Sequence, residues 1–301
     1  MDKIAALVVT YNRKELLRRC IACLCAQKGT TPDIWVIDNA STDGTKQMVA
    51  ALDLTNLTYR NTGANLGGAG GFAYAVEAAV QADYDGLWLM DDDTLPEPGA
   101  LAALLQADRD LGGDYGWLSS RALAPDGGDQ PMNRQRKDPY RDIDAFEALD
   151  RPLVKSAMAS FVSLFLPAQT VRAFGLPIAE FFIWSDDWEY TRRISRQRPC
   201  YTVAASRVVH AMQNPTVVNI ATDTPQRWGR YQYFYRNDVY LYRREGLPGW
   251  LWLLAKDVWH SAQVLSGRGP QKAARLKIIW RGFAAGVRFH PPIRYVGPPQ
   301  Q

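Results

Sequence analysis

The stretch Gly86-Leu87-Trp88-Leu89-Met90-Asp91-Asp92-Asp93 runs from an unbroken apolar segment straight into three carboxylates. A continuous apolar run of this length is what a strand covered on both faces requires, and such strands belong to parallel sheets flanked by helices. The pattern repeats upstream. Ile4–Thr10 is apolar up to its polar end, Asp33–Asp38 (Asp-Ile-Trp-Val-Ile-Asp) is a second such strand, and residues 57–60 form a third. Between them, residues 14–26 carry apolar side chains at helical spacing. Ser41 or Thr42 caps a helix running to about residue 52, and a glycine-rich loop over 67–71 leads into a helix ending near Gln81. Strand–helix alternation with short links predicts an α/β fold, a Rossmann-like mostly parallel sheet built through right-handed crossovers and flanked by helices.

The second half is less regular. From 122 to 151 the apolar signal fades into Pro, Gly and charge, which reads as a long surface loop. Residues 154–166 read as a strand, 188–196 as a short helix and Tyr201–His210 as one or two strands. A polar stretch from 213 to 226 follows, then helical patterns broken at 246–249 and 267–270. This divides the chain into a catalytic part, 1–225, and a helical C-terminal region, 226–301.

Ligands of an open parallel sheet bind beyond the carboxyl ends of its strands. Four such ends carry polar clusters here: Thr10-Tyr11-Asn12-Arg13, Asp38 to Gly44, Asn61 leading into the Gly-rich run, and Asp91-Asp92-Asp93. Three adjacent carboxylates repel one another unless a cation neutralises them. Asp91 and Asp93, two apart on extended chain, point the same way and suit one divalent ion. A solvated turn capping the next helix would need only one of them. Gly68-Ala69-Gly70-Gly71 superficially matches a dinucleotide fingerprint, but that motif belongs on the first strand–helix turn, where Thr-Tyr-Asn-Arg stands instead. We read it as a loop beside the ligand whose backbone amides open a helix. A second acidic knot, Trp184-Ser185-Asp186-Asp187-Trp188-Glu189-Tyr190, sets carboxylates among aromatics, where one can act as a base. His210, 23 residues beyond Asp187, is either structural or a third metal ligand.

Composition bounds the remaining choices. The chain has 301 residues, 47% of them apolar, and a net charge of +4. No run of eighteen uncharged apolar residues is present, and the N-terminus reads as a strand and not as an export signal. The four cysteines are therefore expected to be reduced thiols, the CxxC of Cys20 and Cys23 lying on a buried helix. Charge is uneven: residues 243–301 hold ten Lys/Arg against two Asp/Glu, with Trp250, Trp252, Trp259 and Trp280 among them. Such a tail suits nucleic acid or an anionic membrane surface. The acidic rim argues against nucleic acid. We expect the tail to dock on the inner face of the plasma membrane through Trp250, Leu251, Leu254, Val258 and Leu265, with Arg275, Lys277, Arg281 and Arg288 as cations. The competing reading packs these helices on the catalytic part or on a second subunit of a homo-oligomer.

As a set, Val8-Val9-Thr10-Tyr11-Asn12-Arg13, Asp38-Asn39-Ala40-Ser41-Thr42-Asp43-Gly44-Thr45, Asn65-Leu66-Gly67-Gly68-Ala69-Gly70-Gly71-Phe72, the Asp91-Asp92-Asp93 triplet and the Asp186-Asp187 knot resemble glycosyltransferase family 2. These are inverting enzymes of the GT-A fold. The Gly-rich version, the Trp-x-Asp-Asp-x-Glu-Tyr form and Tyr235-Arg236-Asn237-Asp238 are similar to the bacterial galactofuranosyl- and rhamnosyltransferase branch. The resemblance implies a nucleotide-sugar donor, UDP-galactofuranose or dTDP-rhamnose, with the first favoured, and a glycan or lipid-linked acceptor of the cell surface. It implies that Thr10 and Tyr11 line the nucleobase pocket and that Asp38 binds uracil or ribose. Asn12, Arg13, Asn65, Gly68, Gly70 and Asp92 belong to the same substrate-binding set. Asp91, Asp93 and His210 would hold Mn²⁺ or Mg²⁺. Asp187 would deprotonate the acceptor hydroxyl, with Asp186, Glu189 and Trp184 orienting the acceptor.

Overall fold

The computed structural model describes residues 1–143, 151–212 and 219–297, so parts of the expected loop (144–150) and of the polar stretch (213–218) lie outside the described residues. The first half alternates as expected: β1 (Ile4–Thr10), α1 (Lys14–Cys25), β2 (Asp33–Asp38), α2 (Thr45–Ala50), β3 (Leu57–Asn61), α3 (Gly67–Gln81), β4 (Gly86–Asp91), a short β5 (Thr94–Pro96) and α4 (Ala100–Asp110). There follow β6 (Leu118–Leu123), the hairpin β7 (Arg136–Asp138) and β8 (Arg141–Asp142), β9 (Leu153–Lys155), β10 (Leu164–Pro167), α5 (Ala168–Phe174), α6 (Asp186–Ser195) and β11 (Tyr201–His210). Three helices finish the chain: α7 (Trp228–Tyr242), α8 (Gly246–Ser266) and α9 (Lys272–Arg288).

Among the described residues nine strands form one sheet in the order β3-β2-β1-β4-β10-β6-β11-β5, with β9 on β11. β3, β2, β1 and β4 are parallel, as is β6 with β11, whereas β10 enters antiparallel between β4 and β6. The unbroken apolar runs have a direct cause. Ile4, Ala6 and Val8 of β1 face a core shared with Leu17 and Ile21 of α1 and Leu101 of α4. Ala5, Leu7 and Val9 face the opposite core, with Phe72 and Val76 of α3 and Tyr190 of α6. A strand with a core on each side has no solvent face to make polar.

Four expectations are corrected. The described part of the expected 122–151 loop, residues 122–143, is not a plain surface loop: it ends β6, forms a 3-10 turn at Pro131–Asn133 and folds into the β7–β8 hairpin, with Gln130 and Asn133 buried. Only the ends of 154–166 are strand. Ser163 takes a φ of 64°, and the stretch between carries Met158, Ala159 and Phe161 into the interior as irregular chain. Neither Ser41 nor Thr42 caps α2; the helix starts at Thr45, whose N–H and hydroxyl donate to Asp43 Oδ1. The glycine run is not a loop but the opening of α3 itself. Gly67 (φ 71°) lies so close to the Phe182 carbonyl that a Cβ would stand 2.1 Å from its oxygen, and one at Gly71 would stand 2.6 Å from Val9.

The C-terminal helices pack on this body. Asn237 bonds to the carbonyls of Phe181, Ile183 and Trp184, Glu245 pairs with Arg192 and Arg196, and Leu176 N–H donates to Arg294. Of the expected surface cations, Arg275 is buried and donates to the Ala221 and Pro270 carbonyls, and Trp250 packs inward against Phe283.

The glycine contacts generate a paired prediction. Gly67→Ala should destabilise the fold by about 1–3 kcal/mol, because backbone has to move away from the new methyl. Gly68→Ala, with nothing within 4 Å of its Cβ, should be neutral or slightly stabilising, since alanine is the better helix former. Denaturant unfolding of both variants measures the difference; equal stabilities would contradict the contact.

Candidate active site

β1 and β4 lie side by side with Val9 opposite Asp91, so the turn after β1 abuts the three carboxylates. The strand ends at Asp91 and the chain turns through Asp92 and Asp93 before β5, which separates the triplet. Asp92 turns inward, where the Thr10 hydroxyl donates to it at 2.7 Å. Asp91 and Asp93 face a cavity. Arg13 donates to Asp93 at 2.8 Å and to Asp92 at 3.3 Å. From the other side, β11 pairs with β5 so that His210 stands opposite Thr94, and its Nε2 lies 3.1 Å from Asp93 Oδ1. His210 Nδ1 lies 2.6 Å from Asn133 Oδ1, and the Asn133 amide N–H₂ donates to Ser160. That second bond orients the amide so that its oxygen faces the ring and takes the Nδ1 proton.

The electrostatics follow from burial. Asp91 has no hydrogen-bond partner among the described residues, and burial, with Asp93 beside it, pushes its carboxyl up to about 7. Burial raises Asp92 to about 6 despite Arg13. Asp93 is held below the usual carboxylate range: burial opposes this, but the His210 bond and charge and the Arg13 charge outweigh it.

The second knot faces the first. Ser185, with φ of 64°, precedes α6, and Asp186 and Asp187 occupy its first turn. Burial raises Asp187 well above the ordinary range, reinforced by Asp186 and by Asp91 across the cavity; Arg136 opposes the rise. Burial likewise raises Asp186 to about 6. The Arg136 guanidinium lies 4.5 Å above the Trp188 ring and donates to the Tyr242 hydroxyl at 2.8 Å.

A cavity of about 460 Å³ joins the two knots. Of the residues singled out in the sequence, it brings together Arg13, Gly68, Asp91, Asp93, Trp184, Asp186, Asp187 and His210. A second hollow of about 630 Å³ shares Arg13, Asp93, Met212, Arg227 and Arg230 with it and adds Asn12. The others stand elsewhere. Thr10 is spent on Asp92. Tyr11 is exposed. Asp38 is fully buried, its two oxygens accepting from Ser41 N–H and the Tyr59 hydroxyl, so it orders the strand end. Asn65 accepts from Gly67 N–H, Gly70 is packed against Leu66, and Glu189 is paired internally with Arg193. Sequence reasoning missed Asn133 and Arg136, hidden in the supposed loop, and Arg227, Arg230, Asp238 and Lys256 from the C-terminal region. The Arg-Asn-Asp of α7 was visible in the sequence, but nothing there assigned it a contact.

Residues 5–158, just over half of the chain, match the sequence model of glycosyl transferase family 2. The chain belongs to this family. As a family 2 glycosyltransferase it uses nucleotide sugars. It is similar to galactofuranosyltransferase GlfT1 of Mycolicibacterium smegmatis (strain ATCC 700084 / mc(2)155), 27% identical over 292 residues, which covers 85% of this chain and 91% of that protein. Two solved structures resemble its fold. S. aureus TarS 1-349 in complex with UDP superposes with a TM-score of 0.54 at 14% identity, over 95% of this chain and 72% of that one. The mannosyltransferase PcManGT from Pyrobaculum calidifontis, in complex with GDP-Man and Mn²⁺, gives 0.56 at 15%, over 96% and 76%. The fold of this glycosyltransferase is thus the GT-A type, its mixed sheet flanked by helices and followed by the helical C-terminal region.

Proposed function

We propose that this glycosyltransferase moves galactofuranose from UDP-galactofuranose to a hydroxyl of a cell-surface glycan or lipid-linked acceptor, with inversion. The observation that carries the reading is that one cavity holds Asp187 together with Asp91, Asp93 and His210. A base on one wall and a leaving-group site on the other is what direct displacement needs. Asp187, buried beside Trp188 and faced by Arg136, takes the acceptor proton as the hydroxyl attacks the anomeric carbon. Arg13, Arg227 and Arg230 line the side where negative charge grows on the departing diphosphate. The donor sugar is supported by the name of the GlfT1 relative; dTDP-rhamnose is the competing donor.

A divalent cation, Mn²⁺ or Mg²⁺, belongs to this reading. Among the described residues no group of three or more His, Cys, Asp or Glu side chains is arranged to hold a metal, and Asp93 is occupied by Arg13 and His210. The donor chemistry nonetheless fits. Asp91 is unpartnered with a raised proton affinity, and because the Asn133 oxygen takes the Nδ1 proton, a neutral His210 would offer its Nε2 lone pair to a cation in place of the bond it makes to Asp93. Asp91, Asp93 and His210 would hold the ion, with Arg13 released to the diphosphate; the ion would offset charge on the leaving group.

The C-terminal region supports a partner. Leu247, Leu251, Leu254, Val258, Trp259 and Leu265 of α8 are exposed, while Gly249, Leu253, Asp257 and Val264 face inward. Exposed Lys277, Arg281 and Arg288 flank Trp280 and Val287 on α9. An apolar stripe with cations beside it fits an anionic membrane, each cation near the surface being worth about 1 kcal/mol. No helix of the described residues is long and apolar enough to cross a membrane. We therefore assign peripheral docking on the inner leaflet.

Four measurements test these readings. Asp93→Ala should remove the Mn²⁺-dependent part of UDP affinity in calorimetry, and unchanged binding would move the ligand role elsewhere. In a transfer and hydrolysis screen, UDP-galactofuranose should be consumed and dTDP-rhamnose spared. Asp187→Asn should bind UDP normally yet turn over at least about a hundredfold more slowly; a near-wild-type rate would strip Asp187 of its role. Co-sedimentation should rise with anionic lipid and fall with salt, whereas equal recovery on neutral and anionic vesicles would reject membrane docking.

A further inference from the structure

Three of the four residues before α6 are non-glycine and left-handed: Phe182, Trp184 and Ser185 have φ of 64°, 65° and 64°. L-residues avoid this region because Cβ crowds the following carbonyl. Phe182, with ψ of −57°, closes a tight γ-turn in which Ile183 N–H donates to Phe181 O at 2.7 Å. Backbone of this kind persists only where its surroundings over-determine it, and it concentrates at functional sites.

The surroundings here come from the C-terminal helices. Asn237 of α7 is fully buried, and its amide nitrogen donates to the carbonyls of Phe181 (3.0 Å), Ile183 (3.1 Å) and Trp184 (2.9 Å). Its neighbour Asp238 accepts from the Ser185 hydroxyl at 2.6 Å, and Lys256 of α8 donates to the other oxygen of Asp238. Ser185 directly precedes α6, where serine ordinarily caps a helix with its own hydroxyl. No such bond forms, because the hydroxyl is given to Asp238 instead. Since Asp186 and Asp187 follow immediately, whatever fixes Ser185 fixes where α6 begins and where its first two carboxylates point.

We propose that Asn237, Asp238 and Lys256 are positioning residues for sugar transfer, holding the left-handed segment 182–185 so that Asp187 is aimed into the cavity. The proposal rests on the reading of Asp187 as base. It gives the Arg-Asn-Asp of α7 a task, and it makes α7 and α8 part of the machinery that aims the base. A misaim of about 1 Å costs up to about a hundredfold in rate, so losing the clamp should lower kcat while leaving the diphosphate side untouched.

The test compares variants that differ only in the Ser185 bond. Asp238→Asn with Lys256→Met removes both buried charges but keeps an oxygen acceptor for Ser185; its kcat should stay at least about tenfold above that of the matching double variant that lacks the acceptor. Asp238→Leu with Lys256→Met is equally neutral without the acceptor, and Ser185→Ala removes the donor. Both should lose about 10- to 100-fold in kcat, with donor KM and calorimetric UDP affinity within about twofold. Thermal unfolding confirms that each variant is folded, and Ser185→Ala removes a single oxygen, so it remains informative if either double variant is not. Equal kcat in the two doubles, a wild-type kcat in Ser185→Ala, or a loss confined to donor KM would overturn the proposal. Asp187→Asn run alongside separates the two failures. If it is slow while the clamp variants are fast, only the clamp is wrong; if it is fast, the base assignment itself has failed.

Discussion

Three consecutive carboxylates at the end of a buried strand set the terms for the rest of the molecule. Carboxylates withdrawn from water and placed side by side repel one another and gain protons unless positive charge or hydrogen-bond donors reach them. In this chain the donors arrive from elements distant in sequence. Thr10 and Arg13 come from the end of β1 and His210 from the end of β11, its ring held from behind by the Asn133 oxygen. The sheet order is what delivers them, since β4 is flanked by β1 and β11 carries the short β5. Even so, neutralisation is incomplete, with Asp91 left unpartnered and its proton affinity raised. A site that satisfied all three acids internally would have nothing left with which to bind a cation or a diphosphate.

Sequence was most informative where one physical requirement dominated. β1 and β2 have the bounds read from their apolar runs, because a strand between two cores admits no polar residue until it leaves them. Strand alternation was expected to send Asp91 and Asp93 one way; both line the cavity, but through the turn that follows Asp91. That turn sends Asp92 inward, into a bond with Thr10, so two residues expected to touch substrate satisfy each other. Reading failed where composition stood in for contact. Polar, proline-bearing 122–151 looked like a surface loop, yet Asn133 and Gln135 are buried because they answer polar groups of the site and of β6. The glycine run misled differently: its glycines suggested a loop, whereas Gly67 and Gly71 are small because helix α3 lies against the Phe182 carbonyl and Val9. No local pattern reveals such a neighbour.

The C-terminal helices bear the heaviest constraints for their length, and α8 shows why one face cannot be read without the other. Its inner face places Lys256 on Asp238 and buries Asp257, whose carboxylate oxygens have no hydrogen-bond partner among the described residues and whose burial raises it to about 7. A helix serving only as scaffold would carry leucine at such positions, since a buried ion pair seldom outdoes well-packed apolar side chains for stability. Its outer face has the opposite anomaly, apolar where a scaffold would be polar, from Leu247 through Leu265. Charge inside and leucine outside is the inverse of a soluble amphipathic helix, and folding stability alone favours neither half. Each half becomes intelligible through a task. On the proposed reading, the inward Lys256 and Asp238 hold the segment that would aim Asp187, and the outward apolar stripe would face a membrane. Trp252 is on the same helix, both exposed and lining the cavity. An acceptor anchored in that membrane would therefore meet the cavity along α8, so the helix that fixes the base would also fix its height above the bilayer.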